Sequence, residues 1–205
     1  AEKQIDLILP NVDDELEIFA SHIEELPQTM ISPLQTIKIC NDKYTTIKAL
    51  EKASAMPGIY EDERPPLDAY PVLVKPRCSR GSRNIFIGSD PAQLEAILQY
   101  AGTLGISNTK RLVQEYLPGL EYTVDCLFDL DGALVTAIPR KRIATHGGVC
   151  SVGRTENNHK LLAAVRNISS CLKFRGPVNI QFRQGKSGEF KLLEINPRIA
   201  GGVPI

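Results

Sequence analysis

Gln181, Glu194 and Asn196 stand on two segments with the period of β-strands, where alternate side chains share a face. On the first segment Asn179 and Gln181 face away from Val178, Ile180 and Phe182. On the second, Glu194 and Asn196 face away from Leu193 and Ile195. One carboxylate with amide oxygens suits Mg²⁺ that keeps water and phosphate oxygens as its other ligands. A solvated polar sheet face is the ordinary alternative, and spacing alone does not separate the two. Lys75 closes the apolar run Val72-Leu73-Val74 and precedes a basic loop of small residues, Arg77 to Arg83, that contains Ser79, Gly81 and Ser82. An ammonium beside loop N–H groups can hold phosphate; a solvated strand-end lysine is the alternative. The stretch Val113 to Glu121 crosses Pro118-Gly119 with a carboxylate on each side. Such a crossing could present backbone groups to a base edge, and Glu121 to ribose hydroxyls, unless this is a plain hairpin.

The elements that must carry these groups follow from periodicity. Ile5 to Leu9 reads as a strand, followed by an amphipathic helix through Leu16, Phe19, Ile23 and Leu26. Thr36 to Cys40 reads as another short strand. Asn41 or Asp42 caps a helix through Tyr44, Ile47, Leu50 and Ala53, which Pro57-Gly58 ends. Glu61 to Pro66 is a charged linker. Strands are predicted at 71–75 and 84–87. Asp90-Pro91, with Gln93 placed for a capping box, opens a helix with Leu94, Ile97, Leu98 and Ala101 on one face and Gly102 as its stop. The period then changes, predicting strands at 112–116, 121–129 and 133–138. A polar, glycine-containing stretch runs from Thr145 to Asn158. Leu161, Leu162, Val165, Ile168 and Leu172 make a last helix, and strands at 178–182 and 190–195 flank the turn Gln184 to Gly188.

Composition removes several classes of function. The formal net charge is zero over 205 residues, so whole-molecule attraction to nucleic acid or anionic membranes has no support. No apolar run approaches the roughly 20 residues of a membrane span. Five cysteines without a CxxC pair argue against a disulfide scaffold or zinc site and for a reducing, cytoplasmic setting. Gly185-Lys186-Ser187 is not a phosphate-binding P-loop, because Ile180 stands where its first glycine is required. Arg140-Lys141-Arg142 is too short for a nucleic-acid patch and faces phosphates or solvent. His146, beside Gly147-Gly148, is a candidate phosphate or substrate contact. Both ends read as cut from a longer protein.

Five segments in one order carry a family resemblance: Asn41-Asp42-Lys43, Val74-Lys75-Pro76-Arg77 with its loop, Gln114-Glu115-Tyr116-Leu117 with Glu121, Asn179-Ile180-Gln181-Phe182, and Glu194-Ile195-Asn196-Pro197-Arg198. From about Asn41 to Arg198 the sequence resembles the ATP-grasp superfamily, in the style of its carbamoyl-phosphate-synthetase and biotin-carboxylase branch. The resemblance implies an α/β and α+β fold whose two lobes clasp ATP. It implies the end of a doubly wound N-terminal domain at 1–40, a small lobe at 41–110 and a large lobe at 111–205. By resemblance Lys43 and Lys75 contact ATP phosphates, and the loop with Ser79, Gly81 and Ser82 folds over them. Glu115, Tyr116 and Leu117 read adenine, and Glu121 holds the ribose. Gln181, Glu194 and Asn196 ligate Mg²⁺ or Mn²⁺, and Arg198 is the catalytic arginine beside the transferred phosphoryl group. The implied reaction is ADP-forming ligation of a small-molecule carboxylate to an amine. Carbamoyl-phosphate-synthetase-like phosphorylation of bicarbonate or carbamate, and a nucleotide-binding module without turnover, are the rivals. No nucleic acid or membrane partner is implied, and a homodimer is compatible.

Overall fold

The computed structural model describes residues 4–79, 81 and 83–201. In chain order it forms α1 (Asp13–Ser21), α2 (Leu34–Asn41), α3 (Lys43–Leu50), β1 (Val72–Pro76), β2 (Phe86–Gly88), α4 (Pro91–Thr103), β3 (Arg111–Glu115), β4 (Glu121–Phe128), β5 (Leu134–His146), β6 (Val149–Thr155), α5 (His159–Cys171), β7 (Gly176–Gln184) and β8 (Phe190–Asn196). The strands make two antiparallel sheets, ordered β2-β1-β3 and β6-β5-β4-β7-β8. This mixed fold of helices on antiparallel sheets is the predicted class.

Each sheet buries one face under a helix. Asp90 caps α4 by accepting from the Gln93 N–H at 2.8 Å, and Leu94 packs with Val72, Val74 and Val113 of the small sheet. In the large sheet the apolar side chains alternate with polar ones: Tyr122, Val124, Cys126 and Phe128 of β4 and Val178, Ile180 and Phe182 of β7 share one core with Leu161, Val165 and Ile168 of α5. Burying side chains of this size contributes roughly 1.5–3 kcal/mol each, so the polar rows on the other face are positioned by a stable platform. Helices α2 and α3 close the β8 edge, where Cys40 and Leu50 join the same core. The Leu192 N–H bonds Ala55 O at 2.9 Å, so α3 leans on the large sheet before the chain crosses to the small one.

Several local expectations are corrected. Ile5 to Leu9 forms only an isolated bridge, Ile8 to Thr29, with Ile5, Leu7 and Leu9 exposed. The amphipathic helix stops at Ser21, with a short 3-10 turn following at Ile23–Glu25. Thr36 to Cys40 is not a strand but part of α2. Thr36, Ile37 and Cys40 are buried at helical spacing, and the Thr36 hydroxyl donates to Lys173 O at 2.8 Å, so tertiary packing overrides β-branched propensity. Helix α3 ends at Leu50, before Ala53. Helix α4 runs past Gly102, and the left-handed residue after it is Gly105, at φ +73°. The polar stretch after Thr145 is largely strand: β5 runs on to His146, and Gly147-Gly148, both with positive φ, turn it into β6. The period was hidden because most of β6 is exposed, with Cys150 alone fully buried. All five cysteines are free, and burial pushes Cys40 and Cys126 up to about 12.

Candidate functional site

The site lies between the two sheets. Asp42 fixes its floor: its carboxylate caps α3, accepting from the Tyr44 and Thr45 N–H groups, and takes the Arg77 guanidinium at 2.6 Å. Burial alone would raise this acid, but the Arg77 and backbone hydrogen bonds hold it below the usual carboxylate range. The clamp sets the start of α3 against the exit of β1, and so places Lys43 near Lys75. Lys43 is buried, donates to Ser79 O at 2.9 Å and stands 3.7 Å from Glu194. Lys75 is 4% exposed. Burial, then the Lys43 charge, depress its ammonium to about 8, and only Glu194 opposes them. Two cations facing one carboxylate in a poorly hydrated cleft leave an excess of positive charge, the state that an anionic ligand relieves.

Across the cleft the large sheet presents polar rows. Arg140, Thr123, Gln181 and Glu194 are successive cross-strand partners on β5, β4, β7 and β8; Asp125, Asn179 and Asn196 form the next row. A bulge between Gln181 and Phe182 shifts the register. It corrects one detail of the sequence reading: Leu192, not Leu193, joins Ile195 in the core, and Leu193 lines the cleft beside Glu194. Gln181 and Asn196 both donate their amide N–H groups toward Asn179 Oδ1, at 3.3 and 3.5 Å. That leaves their own oxygens for another partner. Among the described residues no three His, Cys, Asp or Glu side chains converge. A divalent cation here would be held by the Glu194 carboxylate, these amide oxygens and oxygens of a bound phosphate, a set that fits Mg²⁺ or Mn²⁺.

Most of the predicted residues line one cavity of about 150 Å³: Lys43, Lys75, Ser79, Gly81, Gln181 and Glu194, together with Glu115, Tyr116, Leu117 and Glu121. The Glu115 side chain is committed to Lys191 at 2.6 Å and to the Gly58 N–H at 3.1 Å, and its own N–H to Gly58 O at 2.8 Å, which leaves its carbonyl for any base contact. Glu121 is met by Arg142 at 2.8 Å and Arg183 at 3.7 Å. Ser82 lies outside the described residues. Arg198 opens instead on a neighbouring cavity of about 350 Å³ shared with Gln181, Glu194 and Asn196. There Asp13 grips it at 2.6 and 2.7 Å. His146 is exposed at the β5–β6 tip. Sequence reasoning missed Asp13, Asp125 and Lys191, whose partners are far away in the chain. The arginines at 140 and 142 carried a signal in their period of two.

Residues 107–205 match the family profile described as "ATP-grasp in the biosynthetic pathway with Ter operon". The chain is 33% identical over 143 residues to the carbamoyl phosphate synthase large chain of Thermomicrobium roseum, covering 66% of this chain and 13% of that one. Two solved structures share its fold. One is the L-amino acid ligase of Bacillus licheniformis (TM-score 0.73, 20% identity, 97% of this chain and 50% of that one). The other is the biotin carboxylase domain dimer of Hydrogenobacter thermophilus 2-oxoglutarate carboxylase, in complex with MgADP, ADP and bicarbonate (TM-score 0.77, 18% identity, 98% and 49%). The chain thus spans about half the length of these structures and a small part of the synthase. Among the described residues no helix is long and apolar enough to cross a membrane.

Proposed function

We propose that this chain, a member of the ATP-grasp superfamily, binds Mg-ATP between its two sheets and belongs to a ligase that activates a small carboxylate for attack by an amine. The observation that carries this reading is the single cavity shared by Lys43, Lys75, Gln181 and Glu194. It holds an unbalanced pair of ammonium groups opposite a carboxylate and a free amide oxygen. We assign Lys43 and Lys75 to the phosphates, backbone at Glu115 to Leu117 to adenine, and Glu121 to the ribose. Gln181, Glu194 and Asn196 are assigned to the metal. Glu121 would exchange part of its pairing with Arg142 and Arg183 for ribose hydroxyls.

Mg-ATP supplies the phosphoryl group. The chain's own residues supply position and charge, which are the main requirements of this chemistry. Lys75 neutralises phosphate oxygens from a cleft that excludes water, where each charge interaction is stronger than in solvent. Lys43, tethered to Ser79 O, ties the small-residue loop to the metal side. Arg198, oriented by Asp13, would face the acid as the acid's carboxylate oxygen attacks the γ-phosphorus and the bond to the β-phosphate oxygen breaks, releasing ADP; the amine then attacks the acyl carbon and phosphate leaves. In this division residues 1–40 end a preceding domain and the two lobes divide near residue 110, except that α3 leans on the large sheet and β3, just past that boundary, completes the small one. The biotin carboxylase relative is a dimer, and a homodimer is compatible here.

The sequence match to a carbamoyl phosphate synthase favours one second reading, phosphorylation of bicarbonate or carbamate. ADP release by the intact protein across amino acids, peptides and bicarbonate with ammonia decides. Release with a carboxylate and an amine supports the ligase; release with bicarbonate and ammonia supports the second reading. Tight Mg-ATP binding with no release for any pair leaves a binding module.

A further inference from the structure

Three arginines line the 350 Å³ cavity beside Glu194, and they are not equivalent. Arg198 spends Nε and Nη2 on the Asp13 carboxylate and Nη1 on Ile199 O. Arg142 donates Nη1 to the Thr123 hydroxyl and Nη2 to Gly148 O. Its Nε stands 2.8 Å from Glu121 without the alignment of a hydrogen bond. Arg140 is 6% exposed. It is fixed through Nε alone to Asp125 at 3.0 Å, which Asn179 steadies from its other oxygen at 3.1 Å. Its Nη1 is buried with no acceptor. An orphaned donor on a buried cation is costly, and the charge of Asp125 compensates it only from one side. The site is also shaped for this arginine. A Cβ on Gly153 would fall 3.1 Å from Arg140 Cγ and 3.2 Å from Cδ, so a larger residue there would push the arginine stem by a few tenths of an ångström.

We propose that Arg140 recognises a second anionic group, a carboxylate or a phosphate, on the acid activated at the Glu194 end of this cavity. The proposal rests on the carboxylate-activating reading above and narrows its substrate class to small acids with two anionic groups. Arg140 and Glu194 belong to one cross-strand row, three strand spacings apart, about 14 Å between backbones. Both side chains line the same cavity, whose volume of about 350 Å³ has room for a short-chain diacid between them. Arg140 supplies the planar donor fork that carboxylate and phosphate oxygens match.

Calorimetric titration of the intact protein with propionate, succinate, glutarate and 3-phosphonopropionate, each with and without Mg-ADP, tests this. At least one dianionic acid binds about tenfold or more tightly than propionate. A succinate or glutarate preference identifies carboxylate; a phosphonopropionate preference identifies phosphate. Arg140→Gln removes the preference and leaves propionate within about twofold of its original affinity, the remainder that a lost charge-assisted contact predicts. Gly153→Ala keeps the charge, displaces the stem and lowers the preference in the same direction, which decides the matter if Arg140→Gln does not fold. Equal binding of mono- and dianionic acids, no binding of any of them, or a preference that survives both substitutions overturns the proposal. Mg-ADP binding in the same titrations reports on the nucleotide site separately. Its absence with the diacid preference intact sinks the nucleotide reading alone, and its presence without the preference sinks the subsite alone.

Discussion

Replacing Lys75 by methionine keeps an unbranched side chain only one atom shorter and removes a charge that the folded protein holds at a cost. Burial and the neighbouring Lys43 bring the ammonium from 10.5 to about 8. A difference of about 2.5 units, at about 1.4 kcal/mol each, is about 3 kcal/mol of penalty. The folded value lies below the unfolded one, so the unfolded chain binds more protons between about pH 8 and pH 10.5. Stability from this site therefore rises with pH across that window, and the penalty is complete below it. Lys75→Met should make the ligand-free protein more stable at pH 7 by up to about 3 kcal/mol, with most of the gain gone by pH 10. It should also weaken nucleotide binding by about tenfold or more, since a phosphate contact of a charged group is lost. Urea denaturation of both proteins at the two pH values, followed by circular dichroism, measures the first effect, and nucleotide titration the second. A variant less stable at pH 7, or a gain equal at both pH values, would refute the reasoning.

Nucleotide affinity of the unsubstituted protein should fall as pH rises through about 8, because Lys75 then loses the proton that pairs with phosphate; a flat profile from pH 7 to 9.5 in nucleotide titrations contradicts this. Asp13→Asn loosens Arg198, held at 2.6 Å, and should lower kcat about tenfold or more while nucleotide affinity stays level; steady-state kinetics would expose a change confined to KM as an error in the assignment. Gly119→Ala places a Cβ 2.5 Å from Gln184 Cβ and 2.8 Å from its carbonyl oxygen. Neither atom can swing away, so a loss of about 1–3 kcal/mol is expected in denaturation, and an unchanged midpoint would mean that the β7 end yields freely.

The two sheets were legible where burial is one-sided. Val178, Ile180 and Phe182 alternate with Asn179 and Gln181, and the structure turns the first set to the core and the second to the cleft. Helices α4 and α5 were legible because their apolar faces and Asx caps are local signals. Thr36 to Cys40 misled, since its β-branched residues are held helical by tertiary contacts: Thr36 bonds Lys173 O, and Ile37 packs with Leu16, Ala20 and Ile31. The end of β5 and most of β6 escaped because they are largely exposed and carry little apolar alternation. Motif order pointed to the candidate site, but not to what surrounds it. The bulge that turns Leu193 into the cleft, the Asp13 grip on Arg198 and the orphaned donor of Arg140 all depend on contacts between distant segments.

The assignment of nucleotide and metal to the cleft is tested most directly by Mn²⁺ binding, followed by electron paramagnetic resonance, with and without ATP, in the original protein and in Glu194→Ala. Glu194 is the one carboxylate of the proposed ligand set and lies on a polar row, so the variant should keep its fold. ATP should create Mn²⁺ sites in the original protein that Glu194→Ala weakens by more than the roughly 10–100-fold that loss of an outer-shell partner costs. Mn²⁺–ATP held equally by both proteins would contradict the metal assignment and the reading built on it.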